Sequence, residues 1–230
     1  MLLRTSLLFI AALAAFGQAP AAAPKPAAPK PAGAKPAAAT RPPLFFKEDW
    51  KQSAAGGEHD ISQESVGNPA LELKLYGESG AVLLTGKAGD ENNPIHTWSG
   101  ECEGPCGFAL RHKENMADLT GLARIRVNTK TSGFHVVRPM IKLADGTWLV
   151  GDRGDSSLRD WLFSEYNVAD LKWLKLDSKK MVTNGNFVEN VDLSKVDEIG
   201  FVDLHPGSGH GPGGWSDVAQ IEVYAKSVKR

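Results

Sequence analysis

Apolar residues in this chain recur at every second position, in short runs interrupted by glycine, asparagine, aspartate and proline, and no run sustains a helical period. Leu71, Leu73 and Leu75 alternate with Glu72, Lys74 and Tyr76, the spacing of a strand with one buried face. Comparable runs occupy 108–110, 125–127, 136–143, 148–150, 199–204 and 221–224, while 167–176 offers a turn at most. Asp145-Gly146 separates two of these runs and suits a two-residue type I′ hairpin. Pro139, inside a run, marks an edge strand or a bulge because it has no N–H for a ladder. Many short strands with glycine-rich connections over residues 44–230 predict an all-β fold, a jelly-roll β-sandwich in one domain.

The first 43 residues are a different material. A single arginine at position 4 precedes an apolar run over 7–16 and small residues around Gly17, the layout of a secretory signal peptide over 1–17. That run is shorter than the ~20 residues needed to span a bilayer. No cysteine follows it to carry a lipid. Residues 18–43 are largely Ala, Pro and Lys, with no large aliphatic or aromatic side chain. Such a segment cannot offset its ordering entropy and is expected to be a disordered, extended linker. The protein is therefore expected to be exported, periplasmic or extracellular, without a transmembrane anchor after processing.

Removing this segment changes the charge. Its five basic residues meet no acid, which leaves the rest with 21 basic against 27 acidic side chains. A net-acidic body argues against nucleic acid as a partner, since phosphate binding needs a basic face. The two cysteines stand as Cys102-Glu-Gly-Pro-Cys106, and in an exported chain that spacing is expected to form a small disulfide loop.

Several segments also carry a resemblance: DLTGLARIR over 118–126, IKLADGTWLV over 141–150, WLKL over 173–176, VDLSKVDEIGF over 191–201 and the closing IEVY over 221–224. Together they resemble galactose-binding-like jelly-roll modules, which include carbohydrate-binding modules and the domain of complex I intermediate-associated proteins, and a group of exported bacterial proteins. The resemblance covers roughly 95–226, and its motifs are structural rather than catalytic. It implies the jelly-roll fold and a non-catalytic role in binding carbohydrate, for example a cell-envelope polysaccharide.

The candidate ligand residues follow from chemistry that suits a sugar. An aromatic face stacks on a pyranose ring while polar groups hold its hydroxyls. Trp148 follows a hairpin turn and Trp215 a glycine-rich loop, so both are expected to be exposed, whereas Trp173 among leucines belongs to the core. His205 and His210 flank that loop, and Arg138, Asp152 and Arg153 are the proposed polar partners. Asp90, Glu91 and Asn93 supply the oxygen ligands that calcium prefers, so a structural calcium is the one cofactor suggested. Two other readings stand beside this one. A glycoside hydrolase or lyase would need paired carboxylates, for which Glu198 and Asp203 are near in sequence. A structural or interaction protein of the cell envelope would bury its tryptophans as core. No nucleophile elbow, HExxH, Walker or dinucleotide motif is present.

Overall fold

The computed structural model describes residues 40–54, 56–156, 158–205 and 214–230. The expected signal segment, residues 18–39 of the linker, and His210 lie outside the described residues. Within them the alternation becomes burial directly. Along Arg124–Thr131 every second residue is buried, so Ile125, Val127, Thr129 and Thr131 face inward while the arginines and lysine face outward.

Eight strands make the frame: β1 (Leu44–Glu48), β2 (Cys106–His112), β3 (Arg124–Thr131), β4 (Val136–Leu143), β5 (Trp148–Gly151), β6 (Leu162–Asn167), β7 (Val196–Asp203) and β8 (Ser216–Tyr224). They pair antiparallel as β1-β8-β3-β6 in the first sheet and β2-β7-β4-β5 in the second. Chain order thus crosses from sheet to sheet in two Greek keys, the jelly-roll sandwich that the strand pattern predicts. Leu71–Gly77 extends the second sheet beyond β2, and Trp173–Asp177 with Val182–Val188 extend it beyond β5. His96–Trp98 lies against the start of β8, beside Leu83–Thr85. No helix among the described residues is long and apolar enough to cross a membrane.

The main core lies between the sheets. Ile125, Val127, Ile141, Leu149, Ile199, Phe201, Ile221 and Val223 are almost wholly withdrawn from water. Each such side chain contributes roughly 1.5–3 kcal/mol relative to exposure. A second apolar cluster covers the outer face of the second sheet: Met140, Trp148, Val150, Leu174, Leu176, Met181 and Val202. The 148–151 run is therefore buried on both faces.

Four local expectations change. Trp148 is not an exposed aromatic but 7% accessible, covered by Tyr76 at 4.5 Å between ring centroids with the Lys142 ammonium 5.6 Å from its ring. Pro139 is neither on an edge nor a bulge; it pairs with Phe201 inside the second sheet. On its other side, the neighbouring chain is interrupted between β5 and Asp155–Ser156, so the missing N–H falls at a gap in the ladder. The Asp145-Gly146 hairpin is not type I′, because only Gly146 takes a positive φ, +87°. Gly146 N–H bonds the Leu143 carbonyl and Leu143 N–H bonds the Thr147 carbonyl, a turn with a left-handed glycine at its end. Cys102 and Cys106 are free, buried thiols rather than a disulfide. Cys106 is fixed at the start of β2 by pairing with Gly77 and Asp203, and the Cys102 thiol is turned toward the Glu78 carbonyl at 3.8 Å. Hydrogen bonding to Cys102, then burial, pushes the Cys106 thiol up.

Candidate functional site

The outer face of the first sheet carries a row of unlike side chains across three strands. Trp98 is the register partner of Asp217, and Asp217 is in turn the partner of Lys130. Period-2 alternation explains why they share a face: Thr97, Thr129, Thr131 and Val218 are the buried neighbours that point inward. Trp215, two residues before Asp217, joins the same face and donates its indole N–H to Asp217 Oδ2 at 3.1 Å.

Backbone contacts hold Trp215 in place. Gly214 has φ +104°, and a Cβ there would stand 2.4 Å from the Ser132 carbonyl oxygen, so only glycine fits this entry to β8. Ser132 N–H then bonds the Trp215 carbonyl at 2.9 Å. The next residue, Ser216, is tied to Ser99 through both side chain and backbone. Trp98 lies flat over Gly100, where an added Cβ would collide with the indole. Trp161 closes another side: its ring meets His96 at 4.9 Å, and its N–H reaches the Asn92 carbonyl at 3.2 Å. Trp98, Trp161 and Trp215 are each partly exposed, unlike Trp50, Trp148 and Trp173.

At the floor of this group lies Asp217, 4% accessible, whose Oδ1 has no hydrogen-bond partner among the described residues. Burial pushes its carboxyl up to about 8, against the opposing pull of the Trp215 indole N–H and Lys130. His96 Nδ1 donates to the Pro94 carbonyl at 2.6 Å, and Nε2 stands 3.9 Å from Asp217 Oδ2. Burial holds the imidazole below its usual range. Both shifts favour the uncharged forms, so at neutral pH the pair is a neutral imidazole beside a carboxylic acid rather than an ion pair.

Trp215 stands between two clefts. The smaller, about 250 Å³, is lined by Glu58, Asn93, His96, Trp98, Lys130 and Asp217. The larger, about 510 Å³, is lined by Lys130, Thr131, Ser132, Gly133, Leu158 and Arg159. The larger has the size of a small-molecule site, and the smaller lies just below that range. Flat apolar rings beside hydrogen-bonding groups suit a polyhydroxylated ring with one apolar face.

Of the residues expected to bind ligand, Trp215 is the one among the described residues that lines this groove. His205 is exposed, with its ring edge on His135 at 5.0 Å and its N–H on Asp203 Oδ1. Arg138 lies on β4 of the second sheet, opposite Val202. Asp152 accepts the Lys172 N–H on its side chain and donates its own N–H to the Lys172 carbonyl, which ties two segments of the second sheet together, while Arg153 is exposed in the following loop. Asp90 Oδ1 likewise accepts the N–H groups of Asn92 and Asn93, so it serves its own loop. Among the described residues no group of three or more His, Cys, Asp or Glu side chains converges as a metal site. Glu198 and Asp203, the carboxylates nearest in sequence, lie five positions apart on β7 and thus on opposite faces.

Sequence reasoning did not single out Lys130, Arg159 or Asp217, and it did not place His96, Trp98 or Trp161 among the ligand-binding residues. Two local signals were available: His96-Thr-Trp98 and Trp215-Ser-Asp217 each place two functional side chains on one face of a strand. The pairing of those two strands was not available from either.

No family model matches the chain, and no curated protein matches it. Solved structures do. The family 11 carbohydrate-binding module from Clostridium thermocellum, in complex with a β-1,3-1,4-mixed-linked tetrasaccharide, is 16% identical, covers 75% of this chain and 98% of that chain, with a TM-score of 0.41. TmCBM61 in complex with β-1,4-galactotriose is 10% identical over 69% of this chain and 90% of that one, with a TM-score of 0.36. PfGH50B is 9% identical over 69% of this chain, with a TM-score of 0.40, and the present chain spans only 23% of its length. These likenesses are distant, and the fold rests on the strand pairing itself.

Proposed function

We propose that this protein is an exported, non-catalytic binding module that recognises carbohydrate in the groove formed by Trp98, Trp161 and Trp215. One observation carries the reading: Trp98 and Trp215, with Trp161 beside them on His96, are partly exposed indoles around a buried carboxyl whose Oδ1 has no partner among the described residues. The rings supply stacking surfaces for pyranose faces. Asp217, neutral at pH 7, offers a hydroxyl or carbonyl oxygen to a sugar hydroxyl without the cost of burying a charge. Export is supported by the charge, apolar and small-residue pattern of residues 1–17.

Titration of the full chain against a panel of neutral and acidic polysaccharides, by affinity electrophoresis and calorimetry, tests it. Saturable binding is expected, with Trp98→Ala and Trp215→Ala each weakening it by roughly tenfold or more, as loss of a central aromatic contact does. Binding that survives both substitutions, or no binding to any polysaccharide, would sink the proposal.

A further inference from the structure

The larger cleft beside Trp215 differs from the smaller one in charge. Lys130 and Arg159 line it together with Thr131, Ser132 and Leu158, and no carboxylate is among its lining residues. Neither cation has an ion-pair partner among the described residues. Several cations elsewhere on the sheet faces do have such partners: Arg124 pairs with Glu165, Arg126 with Glu222 and Lys142 with Glu198.

Asp217 is the register neighbour of Lys130, but burial keeps that carboxyl protonated at neutral pH. The lysine charge is therefore not cancelled from within the sheet. Glu58 lines the smaller cleft, and the exposed Asp160 follows Arg159 in the chain without lining the larger one. The body as a whole carries an excess of acid over base, so two uncompensated cations around an indole are a local reversal of the protein's field.

We infer that the ligand of this groove is an anionic saccharide, with a sugar ring on the Trp215 indole and a carboxylate or sulfate group between Lys130 and Arg159. The inference rests on the carbohydrate reading and adds the charge of the sugar. A guanidinium forks onto either anion with two parallel N–H···O bonds, and an ammonium adds a point charge that adapts to the position of the group. Uronate and sulfate esters share this chemistry.

The test uses the folded full chain and four probes: polygalacturonate for carboxylate, carrageenan for sulfate, and mixed-linkage β-glucan and β-galactan as neutral polymers. Expected is preferential binding to one or both anionic polymers, weakened several-fold as salt rises from about 50 mM to about 500 mM because exposed charges are screened. Polygalacturonate alone would identify the carboxylate source, and carrageenan alone the sulfate source. The double variant Lys130→Gln/Arg159→Gln, at two sites outside the apolar core, should lower anionic affinity roughly tenfold with an unchanged melting temperature. Neutral polymers bound as tightly as anionic ones, or a double variant with unaltered affinity and salt dependence, would overturn the charge assignment and leave the groove as a neutral-sugar site. Failure of all four probes would remove both readings.

Discussion

The two sheets each present a tryptophan on their outer face, and the chain treats them in opposite ways. On the second sheet, Trp148 lies among Met140, Val150, Leu174 and Met181, with Tyr76 across its ring. On the first sheet, Trp98 and Trp215 stand around an open groove. The carboxylates follow the same division. Glu198 is buried on the covered face, but Tyr76 donates to one oxygen at 2.5 Å and Lys142 to the other at 2.8 Å. Asp217 is buried on the open face, and one of its oxygens has no partner among the described residues. A covered face satisfies its own polar groups, whereas a face built for a ligand keeps some of that capacity unused.

The largest expected effect breaks this comparison at its apolar end. Trp148→Ala should destabilise the fold by about 3–5 kcal/mol, because it leaves a cavity in the covered cluster, whereas Trp215→Ala should weaken glycan binding and leave urea unfolding nearly unchanged. Urea titrations followed by fluorescence or circular dichroism would decide, and equal losses of stability for the two variants would mean that Trp215 is core. Next comes the polar end. Glu198→Ala leaves Lys142 and the Tyr76 hydroxyl without their buried partner, so a loss of about 2–3 kcal/mol is expected with no change in glycan affinity. A variant that instead binds glycan more weakly would place the covered face in the site.

The smallest effect, taken per pH unit, concerns ionisation. The Asp217 carboxyl is raised by burial to about 8 in the folded protein, above its value in an unfolded chain. A raised pKa stabilises the fold fully below the unfolded value, and that stability is lost as pH climbs toward the folded value. Between about pH 4 and pH 8 the loss is at most ~1.4 kcal/mol per pH unit, on the order of 2–4 °C in melting temperature per kcal/mol at this size. Asp217→Asn keeps an acceptor for the Trp215 indole and does not titrate. Its melting temperature should therefore decline less over this range than the parent's, as calorimetry at stepped pH would show. Parallel profiles would mean that Asp217 ionises as an ordinary carboxylate.

Much of the frame is readable in the one-dimensional pattern because its physics is local. The alternation of Arg124–Thr131 predicts which residues face inward, and burial follows it residue by residue. Trp173 reads as core among leucines and is buried. Where local rules compete, the reading falters. Asp145-Gly146 marks the hairpin correctly, but the turn geometry depends on the hydrogen bonds between Leu143 and Thr147. Pro139 breaks the rule for central strands because its neighbour on one side is interrupted there. Cys102 and Cys106 have a plausible spacing, and their buried side chains are hydrogen-bonded neighbours, but both stand as free thiols.

Sequence by itself determined the strand period, the positions of the turns and the alternating faces, since each depends on residues a few positions apart. It also placed a glycine-rich entry ahead of Trp215. Only the tertiary structure decided which outward tryptophan is covered, because the cover on Trp148 comes from Tyr76 and Met181, far away in the chain. Likewise, only strand pairing set Trp98, Lys130 and Asp217 in one row. Period-2 patterning tells a side chain which face to take; what else occupies that face is fixed by the register of strands that meet only when the sandwich closes.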